Sequence, residues 1–134
     1  MAWEHMMGQS PWTAAASTGL RQYRFVAMAT DGTVGYPAAD QPVDGVIRGS
    51  EGAGGGTTGT TNSGQRVSIY PTGSIAMVEA EASTLAVGDL VYSSSVGQAS
   101  TQNTGAYAVG RVVAGSSGAA NRVLSVRLDN IGTT

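Results

Sequence analysis

The sequence predicts an all-β fold, a single small barrel or sandwich, on three observations. Its apolar runs are short and rich in strand formers, as in Leu90-Val91-Tyr92, Tyr107-Ala108-Val109 and Val123-Leu124-Ser125-Val126. Turn residues punctuate them, as at Asp31-Gly32, Gly88-Asp89 and Gly115-Ser116-Ser117-Gly118. Part of the pattern also occurs twice. Val43–Gly49 matches Ala108–Gly115 in character, and Gly64–Tyr70 matches Ala120–Val126. In both places a strand, a Gly-rich loop, an Arg and a strand succeed one another. Two copies are too few for a solenoid, so this internal pseudo-repeat reads as two halves of one barrel.

Residues 1–20 differ from the rest and are expected to form an extended N-terminal arm, with residues 21–134 as the domain. The arm holds both Trp residues (Trp3, Trp12), the only His (His5), and Met1, Met6 and Met7. It sustains neither a strand nor a helix period, and Pro11 would interrupt a helix. Trp is costly to leave in water and is a frequent interface anchor, and Met adapts to contact surfaces. Trp3, Met6, Met7 and Trp12 are therefore the candidate partner-binding residues. Docking of the arm on its own barrel, or a disordered terminus, are the alternatives.

Gln22–Met28 alternates, with Tyr23, Phe25 and Ala27 on one face, and reads as the first strand of the domain. Asp31-Gly32 is a hairpin signal, with Thr33–Tyr36 as the return strand. Pro37 and Pro42 bracket a loop before a strand at Val43–Ile47. Ser50–Ser63 is Gly- and Thr-rich, buries little, and should be an exposed loop. A strand at Arg66–Tyr70 turns at Pro71-Thr72-Gly73. Ile75–Glu81 comes next, with Ala76, Val78 and Ala80 on one face and Ile75, Met77, Glu79 and Glu81 on the other. Ala, Met and Glu also suit a helix, but the short length and the preceding turn favour a strand. In all, about seven to nine strands and no helix are expected.

Composition narrows the function. Apolar residues make up 41%, enough for a modest core, and charged residues only 12%, about half the usual quarter. A weakly charged Ser/Thr/Gly surface suits a chain that lives in an assembly. The basic residues are seven scattered Arg with no Lys, and the net charge is −2, so a nucleic-acid partner is not expected. There is no Cys, hence neither a disulfide framework nor thiolate chemistry. No apolar run is long enough to span a membrane, and no basic region precedes an apolar stretch as in a secretory signal.

Site motifs are weak throughout. Gly54–Gly59 fits G-x-G-x-x-G with Glu79 at the distance of a ribose-binding acid. The next residues, Thr60-Thr61-Asn62-Ser63-Gly64, start no helix, so chance in a Gly-rich loop is the better account. Glu79 and Glu81, roughly 7 Å apart on one strand face, are a conceivable acid–base pair; a solvated strand edge or partners for Arg66 or Arg111 explain them more simply. A Ser-His-acid triad would need His5, and one His without Cys makes no zinc site. Asp40 with Asp44, or Asp129 with Asn130, offer oxygens for calcium but no EF-hand-like loop. No catalytic residue, metal or cofactor is predicted. Ser93-Ser94-Ser95 and Thr101-Gln102-Asn103-Thr104, flanked by Tyr92 and Tyr107, keep a glycan-binding module open; half-buried tyrosines with their hydroxyls at the rim are the simpler reading.

The run Leu85-Ala86-Val87-Gly88-Asp89-Leu90-Val91-Tyr92, then Tyr107–Gly115 and then Arg122-Val123-Leu124-Ser125-Val126-Arg127-Leu128, resembles the capsid cement (head decoration) proteins of tailed bacteriophages. In that family an A-x-G-D-x-V turn-strand precedes a G-x-A-x-G-x-A/V strand, a Gly/Ala loop and a closing V-x-V-x-L strand. The likeness covers about Phe25 to Asp129, and Val43–Tyr70 matches the earlier copy. It implies a structural protein of the virion, bound to the major capsid protein on the outer surface of the capsid. Such a protein adds during or after head expansion and braces the shell against DNA pressure. It also implies neighbouring copies of itself, as a trimer, and no enzymatic activity or cofactor. The Ser50–Ser63 loop and the Trp-bearing arm depart from the family pattern and leave the mode of shell contact open. A carbohydrate-binding adhesion module displayed on the virion is the alternative.

Overall fold

The computed structural model describes residues 12–17, 19–50, 64–81, 84–101, 107–115 and 122–133. Ten strands and no helix occur among them: β1 (Trp12–Ala15), β2 (Phe25–Met28), β3 (Val34–Gly35), β4 (Gly45–Ser50), β5 (Arg66–Pro71), β6 (Ile75–Glu79), β7 (Leu90–Ser93), β8 (Ala99–Ser100), β9 (Tyr107–Ala114) and β10 (Val123–Thr133). The all-β expectation holds, and Ile75–Glu79 is a strand rather than a helix.

The strands form two five-stranded sheets, in the orders β1-β5-β4-β2-β3 and β6-β10-β9-β7-β8. The second order is the first with β1 replaced by β6, β2 by β7, and so on. The pseudo-repeat thus extends from a pair of strands to a whole sheet in each half. It holds at the level of single hydrogen bonds. Ile47 N–H donates to Arg24 O and Tyr23 N–H to Ile47 O; at the matching places, Val112 N–H donates to Asp89 O and Gly88 N–H to Val112 O. The β4–β5 register slips between Ile47 and Gly49, and the β9–β10 register slips opposite Ser125 and Val126 at the matching place. Each sheet also curls until its end strands meet, through parallel bridges Ala16↔Val34 and Ala80↔Ala99.

This correspondence corrects the sequence alignment of the last strands by one residue. The sequence sets Arg66 against Arg122, whereas Ala16 N–H donates to Gln65 O where Ala80 N–H donates to Arg122 O. A strand slipped by one residue turns every side chain to the other face, so the hydrogen bonds decide the match.

The two cores match position by position. In the first sheet Val26, Ile47, Val67 and Ile69 share one face and bury Leu20 and Val34 against it. Their counterparts Val91, Val112, Leu124 and Val126 do the same with Leu85 and Ala99. The alternate residues of the first sheet, Phe25, Val46 and Tyr70, point the other way and join the second core. One sheet therefore buries both faces, and the two halves share an apolar seam.

Two expectations change. The strand read over 22–28 begins only at Phe25, because Tyr23 has φ 63°, a left-handed conformation that cannot continue a strand. The arm of residues 1–20 ends earlier than expected. Residues Trp12–Ala15 form β1, paired antiparallel with β5, and Ala16 and Leu20 are 1% and 0% exposed. A four-residue strand is too short to show a period, which hid it in the sequence. Residues 1–11 and most of the Ser50–Ser63 loop, 51–63, lie outside the described residues.

Gly45 and Gly110 occupy matching places where two backbones touch. A Cβ on Gly45 would strike Tyr70 O, and one on Gly110 would strike Arg127 O. Gly110→Ala should cost about 1–3 kcal/mol, as overpacking does, and Gly45→Ala the same. Val26→Ala and Val91→Ala, at matching core sites, should each cost about 1–3 kcal/mol. Denaturant unfolding checks all four; changes within noise at one member of a pair only would break the equivalence of the repeats.

Candidate functional site

Of the residues singled out for partner binding, Trp3, Met6 and Met7 lie outside the described residues. Trp12 opens β1, opposite Ile69 of β5. His5 and the Gly54–Gly59 motif also lie outside them.

Glu79 is not part of an acid–base pair. It is fully buried and accepts from Arg24 Nη2 at 3.1 Å and from Gln98 Nε2 at 3.1 Å, both at Oε1. Arg24 Nη1 donates to Val96 O at 2.9 Å. Its partner is thus Arg24 rather than Arg66 or Arg111. Glu81 lies past the end of β6, where its N–H donates to Ala99 O. Glu79 Oε2 and Arg24 Nε make no hydrogen bond among the described residues. A fully buried carboxylate held by a guanidinium and an amide ties the two halves together.

Three of the four calcium candidates have their side chains engaged in the fold. Asp44 Oδ2 accepts from Met28 N–H at 2.6 Å, and Asp129 pairs with Arg127 at 3.2 Å. Asn130, at φ 43°, donates to Val43 O at 2.9 Å and ties β10 to the first half. Asp40 is buried and its N–H donates to Ser93 O. No group of three His, Cys, Asp or Glu able to hold a metal occurs among the described residues.

The glycan reading loses its platform. Tyr92 is 5% exposed and Tyr107 half-buried, with its hydroxyl 3.4 Å from Asn130 O. Ser93 and Ser100 are buried too, and Ser100 donates to Tyr92 O. Residues 102–106 of the polar run lie outside the described residues.

The open surface of note is on the second repeat. A cavity of about 330 Å³ is lined by Val87, Gly88, Arg111, Val113, Arg127 and Asp129. Val87 is 63% exposed, and Arg111 Nη1 rests on Gly88 O at 3.2 Å. The exposed Arg127–Asp129 pair adds little to stability. Sequence reasoning missed this face and the Arg24–Glu79 pair alike, since neither has a local motif.

On the opposite repeat, the Asp31-Gly32 hairpin is exposed. Thr33 donates to Asp31 Oδ1 from its hydroxyl at 2.7 Å and its N–H at 3.0 Å. The hydroxyl bond, then the amide bond, hold the Asp31 carboxyl below its ordinary value. The small stability this lends is present above that value and is lost as pH falls through the lowered one.

No family model matches the chain, and no curated protein matches it. Among solved structures, the chain is similar to the N base of the head fiber gp8.5 of bacteriophage phi29, with a TM-score of 0.64 and 18% identity. The match covers 92% of this chain and 96% of that one. At that identity it shows a shared fold over the matched length.

Breaking the buried pair tests its structural role. Arg24→Ala or Glu79→Ala should each cost about 3–5 kcal/mol by stranding the other charge, while Arg24→Met with Glu79→Leu should cost far less. Equilibrium unfolding of the three variants reads this out; a double variant as unstable as the singles would contradict it.

Proposed function

We propose that the chain is a structural protein of a tailed-phage head, bound to the major capsid protein on the outer surface of the shell. There, as one of many copies and as a trimer, it braces the expanded capsid. The observation that carries this reading is the likeness in fold, over 92% of the chain, to a head fiber base, in a chain whose turn-and-strand motifs resemble head decoration proteins. The composition supports it: charged residues make up only 12% of the chain, which suits a chain that lives in an assembly. Modest contacts repeated over a lattice become collectively strong. No catalytic role is proposed. Trp3, Met6, Met7 and Trp12 remain the proposed shell contacts.

That neighbour is the base of a head fiber, which favours a second reading within the same class, in which the chain anchors a projecting structure instead of reinforcing the shell. Titrating decoration-free heads with the purified chain separates the two. Saturable coating with a higher rupture temperature supports cement; coating without that rise supports a base; no coating overturns both.

The pairing of β1 with β5 sets where a truncation can test the N-terminal segment. Removing residues 1–20 would delete β1 together with buried Ala16 and Leu20, so that variant should unfold. Removing residues 1–11 should leave the melting temperature nearly unchanged and weaken coating by tenfold or more, a loss of at least about 1.4 kcal/mol. Unchanged coating would assign shell binding to the β domain.

A further inference from the structure

The contact that joins the two repeats uses different surfaces on each. The first repeat offers a seat at the start of β2. Phe25 N–H donates to Gly97 O at 2.7 Å, and Arg24 Nη1 donates to Val96 O at 2.9 Å. The second repeat offers the hairpin tip Val96-Gly97-Gln98. Gly97, at φ 76°, lies so close that an added Cβ would come 3.2 Å from Arg24 Cβ and 2.9 Å from the Tyr36 ring. A contact of this kind is heterologous, so each repeat also owns the complementary surface it does not use inside the chain.

Both unused surfaces are present and open. The hairpin tip Asp31-Gly32-Thr33 matches Val96-Gly97-Gln98. Gly32 has φ 83°, and nothing lies within 4 Å of where its Cβ would be. The seat that matches Arg24-Phe25 is Asp89-Leu90, beside the cavity of Val87, Arg111 and Arg127. In the first repeat the face around the seat is covered, with Val46 0% and Tyr70 8% exposed. Their register partners in the second repeat are Arg111 and Arg127, both exposed.

We propose that the Asp31-Gly32-Thr33 hairpin of a second copy of this chain seats on the Asp89-Leu90 face, repeating between chains the contact that joins the repeats within one. The proposal deepens the reading of the chain as one of many copies on a shell by naming the surfaces through which copies meet. Charge favours that occupant. The hairpin brings the Asp31 carboxylate, and the face brings the exposed Arg111 guanidinium, with that of Arg127 already paired to Asp129. The face's own carboxylates are engaged within it: Asp89 accepts from Ala86 N–H at 2.9 Å, and Asp129, which lines the same cavity, accepts from Arg127 Nε. The contact runs head to tail, so copies assemble into a closed ring or a filament and do not stop at a two-fold dimer.

The chain has no Cys, which makes cross-linking unambiguous. The separation of 3.2 Å within the chain is a few tenths of an ångström under the roughly 3.5–4.5 Å that a disulfide spans between Cβ atoms. Gly32→Cys and Asp89→Cys proteins, mixed in solution under mild oxidation, should give a covalent heterodimer that neither gives alone. Absence of that heterodimer, or equal cross-linking of either variant with itself, overturns the proposal. A second measurement leaves Asp89 untouched: by sedimentation, Arg111→Glu with Arg127→Glu should weaken self-association at least tenfold, and unchanged association overturns the proposal. No heads are present in either experiment. A chain that cross-links but does not coat heads would sink the shell reading alone; one that coats heads but does not cross-link would sink this one alone.

Discussion

A guanidinium and a carboxylate, both shut away from water, meet where the two repeats join. Arg24 is 4% and Glu79 0% exposed. Charges in that position cost several kcal/mol each to desolvate, and their attraction returns this only with good geometry and further hydrogen bonds. The surroundings supply part of that requirement through Gln98 and the Val96 carbonyl. They leave one oxygen and one nitrogen without partners among the described residues. An apolar seam of the same size would be at least as stable. What the ionic pair adds is register. A Glu buried without its Arg is penalised, so sliding or rotating one repeat over the other is penalised too. The apolar contacts of Phe25, Val46 and Tyr70, which are non-directional, acquire one orientation.

That seam makes two similar sheets unequal. On the first, Val46 and Tyr70 face outward from their own sheet and are buried by the second repeat. On the second, the same register positions hold Arg111 and Arg127 and face solvent. A duplicated unit joined head to tail always leaves one used and one unused copy of each surface. Burial then sets the side chains: apolar where the seam covers them, charged and solvated where it does not. The polar second face is therefore compatible with a contact that forms and exchanges between chains, whereas the first is a permanent core.

The sequence made the fold class legible because its signals were local: Gly88-Asp89 and Asp31-Gly32 turns, and strand formers in β5, β7, β9 and β10. It also showed the Gly45–Gly110 match, since a glycine where two backbones touch is visible as a glycine. It hid β1 and β8, which are four and two residues long, too short to carry a period. It misplaced one alignment by a single residue because Arg66 and Arg122 look alike, while the ladder pairs Gln65 with the place of Arg122. The site was less legible than the fold. The Arg24–Glu79 pair joins residues 55 apart in the chain, and no spacing rule reaches so far. Tyr92 and Tyr107 were open to a sugar-platform reading because sequence does not report which face of a strand is covered.

The turn before the seam shows how such a position is maintained. At Gly88 a left-handed residue costs little, since glycine has no Cβ. The first repeat puts Tyr23 there, at φ 63°, which for a residue with a Cβ costs about 1–2 kcal/mol. A strained conformation persists only where its surroundings over-determine it, and they do. Tyr23 N–H is tied to Ile47 O at 3.1 Å within its own sheet, and its carbonyl accepts from Glu79 N–H at 2.8 Å across the seam. The second bond exists only because the repeats are joined, and it fixes Glu79 beside Arg24. Strain at Tyr23, the backbone bond to Glu79 and the buried ion pair are thus one cooperative unit. A change that opens the seam removes the bond that holds Tyr23 in place, and relaxation of Tyr23 would in turn withdraw the carbonyl that positions Glu79.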